Sequence, residues 1–208
     1  MNHVVQFKEY FEGSSHSVIL MEVLNGGELF HYISSNNYRL TEEKCGYFAR
    51  QILHAAEFMQ DRRIIHLDLK PENIVLVQPP ITSSSPSGYN APEYAERLKV
   101  IDFGIARHLG SRNRISINTC GTLEFISPEV LGCSHASFAS DMWSVGVLFF
   151  MMLSGGISPF WDGTEHGTEQ AISRVRFVNG GFAHSSFSVI STQAIDCISK
   201  LLIAEPSK

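Results

Sequence analysis

The sequence predicts an α+β fold in which a short strand pair precedes a mostly helical body. Three observations carry that expectation. Val4 to Phe11 and Ser17 to Glu22 are apolar-rich and flank the polar stretch Glu12-Gly13-Ser14-Ser15, which reads as a hairpin. Phe48, Ile52, Ala55 and Met59 recur at helical spacing behind Thr41-Glu42-Glu43, a hydroxyl cap with acids in the first turn. Met142 to Leu153 is the longest apolar run; it contains Ser144 and Gly146, is too short to span a bilayer, and reads as a buried helix.

Composition sets the bounds. A chain of 208 residues can bury one good core or most of a larger one, and its apolar share of 44% is ordinary for a soluble globular protein. The formal net charge of -5 gives no reason to expect nucleic acid as a partner, and no signal peptide stands at the N-terminus. Cys45, Cys120, Cys133 and Cys197 lack Cys-x-x-Cys spacing, so they read as reduced thiols of an intracellular protein rather than a zinc site or disulfides. There is no internal repeat and no segment suited to membrane insertion.

Taken in order, the two strands are marginal alone and need sheet partners from elsewhere. Asn25-Gly26-Gly27 is a turn, and Glu28 to Ile33 opens a short helix. On its own residues, Met21 is a core methionine and Glu28 a solvated acid favoured by the helix dipole. The helix that starts at Thr41 leads to Ile64 to Val77, where two apolar runs enclose a polar loop. That loop offers Asp68, Lys70 and Asn73 within six residues. Asp68 could accept a proton from a hydroxyl, Lys70 could neutralise phosphate charge, and the Asn73 carbonyl could ligate a hard ion such as Mg²⁺. A second acid, Asp102, follows the apolar run Leu98 to Ile101. These parts suit phosphoryl transfer, in which positioning and charge neutralisation supply most of the catalysis.

Between the two acids, Gln78 to Arg97 holds Pro79, Pro80, Pro86, Pro92 and Ser83-Ser84-Ser85 and reads as a flexible surface excursion. It is a tolerated insertion or a docking or phosphorylation segment. Ile105 to Cys120 reads as a polar mobile loop. Ser140-Asp141 starts the buried helix, Gly155-Gly156 ends it, and Glu169 to Phe177 and Thr192 to Ile203 are further amphipathic helices. In the last of these, Ile195, Ile198, Leu201 and Leu202 look like packing residues.

His66-Leu67-Asp68-Leu69-Lys70-Pro71-Glu72-Asn73, then Asp102-Phe103-Gly104, then Ser127-Pro128-Glu129, resemble the catalytic loop, metal-binding triplet and Ala-Pro-Glu motif of eukaryotic protein kinases, in the family's order. Ser127 stands where alanine is usual. His-Leu-Asp, Asn-Gly-Gly-Glu-Leu-Phe and Gly-Thr-Leu-Glu-Phe together resemble the calcium/calmodulin-dependent group, with the myosin light-chain, titin-like and death-associated kinases nearest. The resemblance implies a kinase fold consisting mainly of the helical C-terminal lobe. Residues 1–24 would be the last two strands and hinge of the N-terminal lobe, and 25–208 an incomplete C-terminal lobe with an insertion at 78–97.

The resemblance also implies roles. Asp68 would orient and deprotonate a serine or threonine hydroxyl, Lys70 would offset charge on the moving phosphoryl group, and Thr122 would hydrogen-bond to both. Asn73 and Asp102 would hold Mg²⁺ against the phosphates of ATP. Met21 would be the gatekeeper, Glu22-Val23-Leu24 the hinge that meets adenine, Val75 the floor beneath it, and Glu28 the residue that reaches the ribose. His66 would pack on Phe103, and Asp141 would tie its helix to the backbone of the catalytic loop. Glu72 or Glu28 would meet a basic residue upstream of the acceptor in a peptide substrate. Calmodulin would enter only through a flanking segment.

Leu67 occupies the position where many kinases have the arginine that pairs with a phosphate on the activation segment, which by the resemblance would be Ile105 to Cys120, so activity is expected not to depend on phosphorylation of Ser116 or Thr119 through that contact. The glycine-rich strands, the ATP-clamping lysine and the regulatory helix of the family would lie before Met1, and the arginine partner of Glu129 would lie past Lys208. The chain therefore reads as a fragment, expected to bind ATP poorly alone and to expose apolar surface. A kinase-like scaffold that holds a peptide without catalysis is the alternative.

Overall fold

The structure is a computed structural model that describes residues 3–35, 40–78 and 96–204. Strands β1 (Phe7–Glu12) and β2 (Ser17–Met21) form an antiparallel hairpin whose turn is closed by the Gly13 N–H donating to the His16 carbonyl at 2.8 Å. Every residue of both strands is exposed. The expected first strand began at Val4. Instead, His3 to Val5 run alongside residue 100, with the Val5 N–H donating to the Val100 carbonyl and the Val100 N–H to the His3 carbonyl, both at 2.9 Å. Pairing there satisfies backbone groups that a two-stranded hairpin leaves open.

After α1 (Leu29–Ser35), helix α2 (Glu42–Asp61) begins where the cap predicts: Thr41 Oγ1 accepts from the Lys44 N–H at 3.2 Å, with Glu42 and Glu43 in the first turn. Its buried stripe contains Phe48, Ile52, Ala55 and Met59, together with Cys45 and Gln51. The chain leaves α2 through Arg63, at φ 60, into β3 (Ile64–Ile65). Strand β4 (Ile74–Leu76) pairs antiparallel with β5 (Leu98–Val100) in the register Ile74↔Val100, and β6 (Arg107–His108) pairs with β3.

The intervening segment has a closed base. The Val77 N–H donates to the Arg97 carbonyl at 2.8 Å, and Gln51 of α2 accepts from the Leu98 N–H at 2.8 Å while donating to the Glu96 carbonyl. The Glu96 carboxylate also meets Lys44 and the Tyr32 hydroxyl. The excursion expected at 78–97 otherwise falls on residues 79–95, which lie outside the described residues, including the Pro79-Pro80 and Ser83–Ser85 stretches.

Beyond the short helix α3 (Pro128–Leu131), the centre of the molecule is α4 (Phe138–Ser154), in which Val145, Val147 and Leu148 are fully buried. It begins two residues earlier than Ser140. Ser137 supplies the cap, accepting from the Ala139 N–H while Ser140 Oγ accepts from the Ser137 N–H, each at 3.2 Å. Gly155 ends it at φ 83, a left-handed conformation that glycine adopts without a side-chain clash. Trp143 stacks on Phe160, with ring centroids 5.1 Å apart.

Helix α5 covers Glu165–Ser173 rather than the expected 169–177. Thr164 Oγ1 accepts from the Gly167 N–H and sets an earlier start, and Val175 at φ 47 breaks the helix before Phe177. Phe177 instead packs among Phe150, Phe160 and Phe182. Helix α6 (Thr192–Leu201) buries Ile198, with Leu202 buried just past its end and Ile195 and Leu201 partly so. Its cap residue Ser191 also donates its N–H and hydroxyl to the Glu42 carboxylate at the start of α2. Among the described residues, no helix is long and apolar enough to cross a membrane.

Candidate active site

The loop between β3 and β4 is shaped by a carboxylate from beneath. Asp141, in the first turn of α4, is buried, and its two oxygens accept from the backbone N–H groups of His66 at 2.7 Å and Leu67 at 2.8 Å. Burial pushes its carboxyl up; the two N–H donors oppose that shift by favouring the charged form. Leu67 takes φ 69, a left-handed conformation held in place by this pair of bonds. The buried His66 ring reaches the Ile101 carbonyl through Nε2 at 2.9 Å and packs edge-on against Phe103, with centroids 4.9 Å apart.

Four of the side chains expected to act together do meet. Asp68 Oδ1 accepts from the Thr122 hydroxyl at 2.8 Å and from the Thr122 N–H at 3.1 Å. Asp68 Oδ2 accepts from Asn73 Nδ2 at 2.8 Å and lies 3.1 Å from Lys70 Nζ. Lys70 Nζ donates to Thr122 Oγ1 at 2.7 Å, which leaves the hydroxyl proton for Asp68. Burial alone raises the Asp68 pKa, but hydrogen bonds from Thr122 and Lys70, the Lys70 charge and the Asn73 amide outweigh it and hold the carboxyl below its usual value. The result is an ionised, half-buried acid beside a fixed cation.

Asn73 Nδ2 donates a second time, to the Asp68 carbonyl at 2.9 Å. With the amide nitrogen so fixed, Oδ1 is the atom that remains for a cation, which fits a hard-ion ligand. The Ile101 N–H donates to the Asn73 carbonyl at 2.9 Å, so the backbone preceding Asp102 lies against the catalytic loop. Asp102 itself is exposed at φ 58, with Oδ1 accepting from the Gly104 N–H at 3.0 Å. An amide oxygen and an exposed carboxylate on adjoining loops form a donor set suited to Mg²⁺. No cluster of three or more His, Cys, Asp or Glu side chains suited to a metal occurs among the described residues.

The remaining expected positions are more dispersed. Val75 is buried on β4 and bridges to Glu28, whose carboxylate lies 3.7 Å from His31. Glu22 Oε1 accepts from the Gln6 N–H at 2.6 Å and meets Lys99 on β5; burial raises its pKa, and these hydrogen bonds bring it net below the usual value. Leu24 is half-buried on the link that follows. Met21 ends β2 at 48% exposure, because only one other strand pairs with β2 among the described residues.

Two contributors had no signal in the sequence reading. Lys99 anchors Glu22 from a strand read only as apolar. Gly121, at φ 97, lies where a Cβ would come 2.5 Å from the Leu67 carbonyl, so the chain can pass there only as glycine. The Gly121-Thr122 order, part of the Gly-Thr-Leu-Glu-Phe motif, is where that close approach is encoded. Ser127, buried at the start of α3, has a hydroxyl without a partner among the described residues, and Glu129 accepts from Ser140 Oγ at 2.7 Å.

Comparison with known proteins agrees with this geometry. Residues 1–208 match the family described as "Protein kinase domain". Myosin light chain kinase 3 of Mus musculus is 38% identical over 209 residues, covering 100% of this chain and 24% of that protein. Myosin light chain kinase family member 4 of Homo sapiens is 38% identical over 205 residues, covering 99% of this chain and 48% of that protein. The Mus musculus family member 4 is 39% identical, covering 49% of that protein, so the chain spans 24% to 49% of the length of these three relatives. With its loop, triplet and helix contacts in the order and geometry described above, the chain belongs to the protein kinase domain family.

Proposed function

We propose that this chain is the catalytic core of a protein serine/threonine kinase that transfers the γ-phosphoryl group of ATP to a protein hydroxyl. The observation that carries the reading is the Asp68–Thr122–Lys70–Asn73 network, a charged acid held by three partners on the loop between β3 and β4. Asp68 orients the acceptor hydroxyl and takes its proton as the bond to phosphorus forms. Lys70 offsets charge on the moving group, and Thr122 keeps Asp68 and Lys70 in register. Asn73 and Asp102 are the residues that would hold Mg²⁺; when bound, the ion neutralises phosphate charge as it builds toward the leaving group. Val75 forms an apolar floor for adenine, with Met21, Glu22 and Leu24 as the gatekeeper and hinge and Glu28 as the ribose contact.

In the same reading, residues 1–24 belong to the N-terminal lobe and 25–208 to the C-terminal lobe. Glu72, whose Oε2 is buried without a partner among the described residues, and Glu28 supply negative charge for a basic residue upstream of the acceptor. The protein acts inside the cell, and a calmodulin contact would come from a flanking segment. The relatives' printed names point to myosin light chain as a substrate to try first. Incubating the protein with Mg²⁺, labelled ATP and a basic serine peptide tests the proposal: label on serine that disappears in Asp68→Asn supports it. Peptide binding with no transfer by protein that includes all family segments would instead establish the scaffold reading.

A further inference from the structure

The activation segment of this protein is attached differently from one that relies on a phosphate. Leu67 is buried at 7% exposure in a separate apolar cluster with Ile65, Leu109, Ile126, Val130 and Ala136. It offers no charge to a phosphorylated side chain. Leu109 is 1% exposed, so the segment enters by inserting an apolar side chain, and its N–H donates to the Arg63 carbonyl at 2.8 Å.

Arg63 then reaches over the next four residues. Its Nε donates to the Gly110 carbonyl at 3.1 Å, and its Nη2 donates to the Arg112 carbonyl and, at 3.3 Å, to Asn113 Oδ1. The guanidinium carbon lies 5.3 Å from the centre of the Phe138 ring at the start of α4. The left-handed backbone of Arg63, φ 60, turns the chain between α2 and β3 at this point. A planar fork aims its donors in fixed directions at acceptors spread over several residues, whereas an ammonium is a compact point charge on a flexible stem.

We infer that Arg63 is a positioning residue: it fixes the turn at Leu109–Asn113 and thereby the route of the chain from Asp102 to Thr122. The consequence passes along the segment. From that turn the chain reaches Ile115, which exchanges backbone hydrogen bonds with Ala136 at 3.0 and 2.8 Å, and then Gly121-Thr122, where Thr122 holds Asp68. The inference rests on the kinase reading for its effect on rate, but not for its effect on the segment's order.

The test compares wild type, Arg63→Gln and Arg63→Lys in the full chain. Hydrogen exchange over residues 109–117 is expected to be faster in Arg63→Gln than in wild type, with α4 unchanged, and intermediate in Arg63→Lys. Equal exchange in the three proteins overturns the inference; if the glutamine variant does not fold, the lysine variant alone decides it. In kinase assays Arg63→Gln is expected to lower kcat/KM for the acceptor peptide about tenfold while KM for ATP holds, with partial recovery in Arg63→Lys. Loss of ATP affinity in the same proportion would mark a general structural role and overturn it. Absence of transfer by wild-type protein that includes all family segments refutes the kinase reading, and the exchange comparison still decides the role of Arg63.

Discussion

At the level of single residues, the decisive group is Asp68, because three donors and a cation converge on one carboxylate. On the proposed reading Asp68→Asn keeps the shape and removes the base, so kcat should fall by about a hundredfold or more at unchanged KM for ATP, measured in steady-state assays. The same environment makes a pH prediction. Folding lowers the Asp68 pKa, so below the usual carboxylate value the unfolded chain takes up the proton first. The stability that Asp68 contributes is therefore present above that value and is lost as pH falls through the lower native one. Chemical denaturation between about pH 5 and pH 2 should show a shallower decline in Asp68→Asn than in wild type. Ser116 is exposed and Leu67 carries no charge, so Ser116→Ala should leave the phosphoryl-transfer rate unchanged, as measured by label incorporation. That Asp68, Asn73 and Thr122 would lie together was legible because their order along the chain is distinctive. The Arg63 contacts were not, since their partners lie nearly fifty residues away and are mostly carbonyls, which any sequence supplies.

For secondary-structure elements, α4 is the support on which the loop rests. Asp141→Ala leaves the N–H groups of His66 and Leu67 buried without acceptors, at about 1–3 kcal/mol each. Denaturant unfolding should show a loss of about 2–6 kcal/mol, and Asp141→Asn, which keeps one acceptor oxygen, should lose less. The start of α2 was readable because its cap and first-turn acids are local. The starts of α4 and α5 were misjudged by two and four residues because serine and threonine occur repeatedly there, and only packing selects which hydroxyl caps. The attachment of His3–Val5 to residue 100 is long-range, so hydrophobic alternation alone assigned those residues to the hairpin.

Across the whole molecule, stability is unevenly distributed. Leu148, fully buried in α4, and Ile19, 60% exposed in β2, illustrate the contrast. Leu148→Ala should cost about 2–5 kcal/mol in denaturant unfolding, whereas Ile19→Thr should change stability by less than about 0.5 kcal/mol. Ile19→Thr should still reduce binding of an apolar dye, because Val18, Ile19, Leu20, Met21 and Val23 all stand exposed in and beside β2. Helix α2 was legible from periodicity and the core helix α4 from its long apolar run. The open hairpin was foreseen as a strand pair wanting partners, but its full exposure was not deducible from two apolar runs.

The closed base beneath residues 78–96, where Val77 meets Arg97 and Gln51 grips both Glu96 and Leu98, separates length from geometry. These bonds, made by residues on both sides of the junction, set the spacing of the two strands at its base. Evolution or an engineer can therefore treat this junction as a cassette socket. A tag inserted here, or the whole stretch 79–95 exchanged for a tight turn, should leave Asn73 and Asp102 in the same relation to each other.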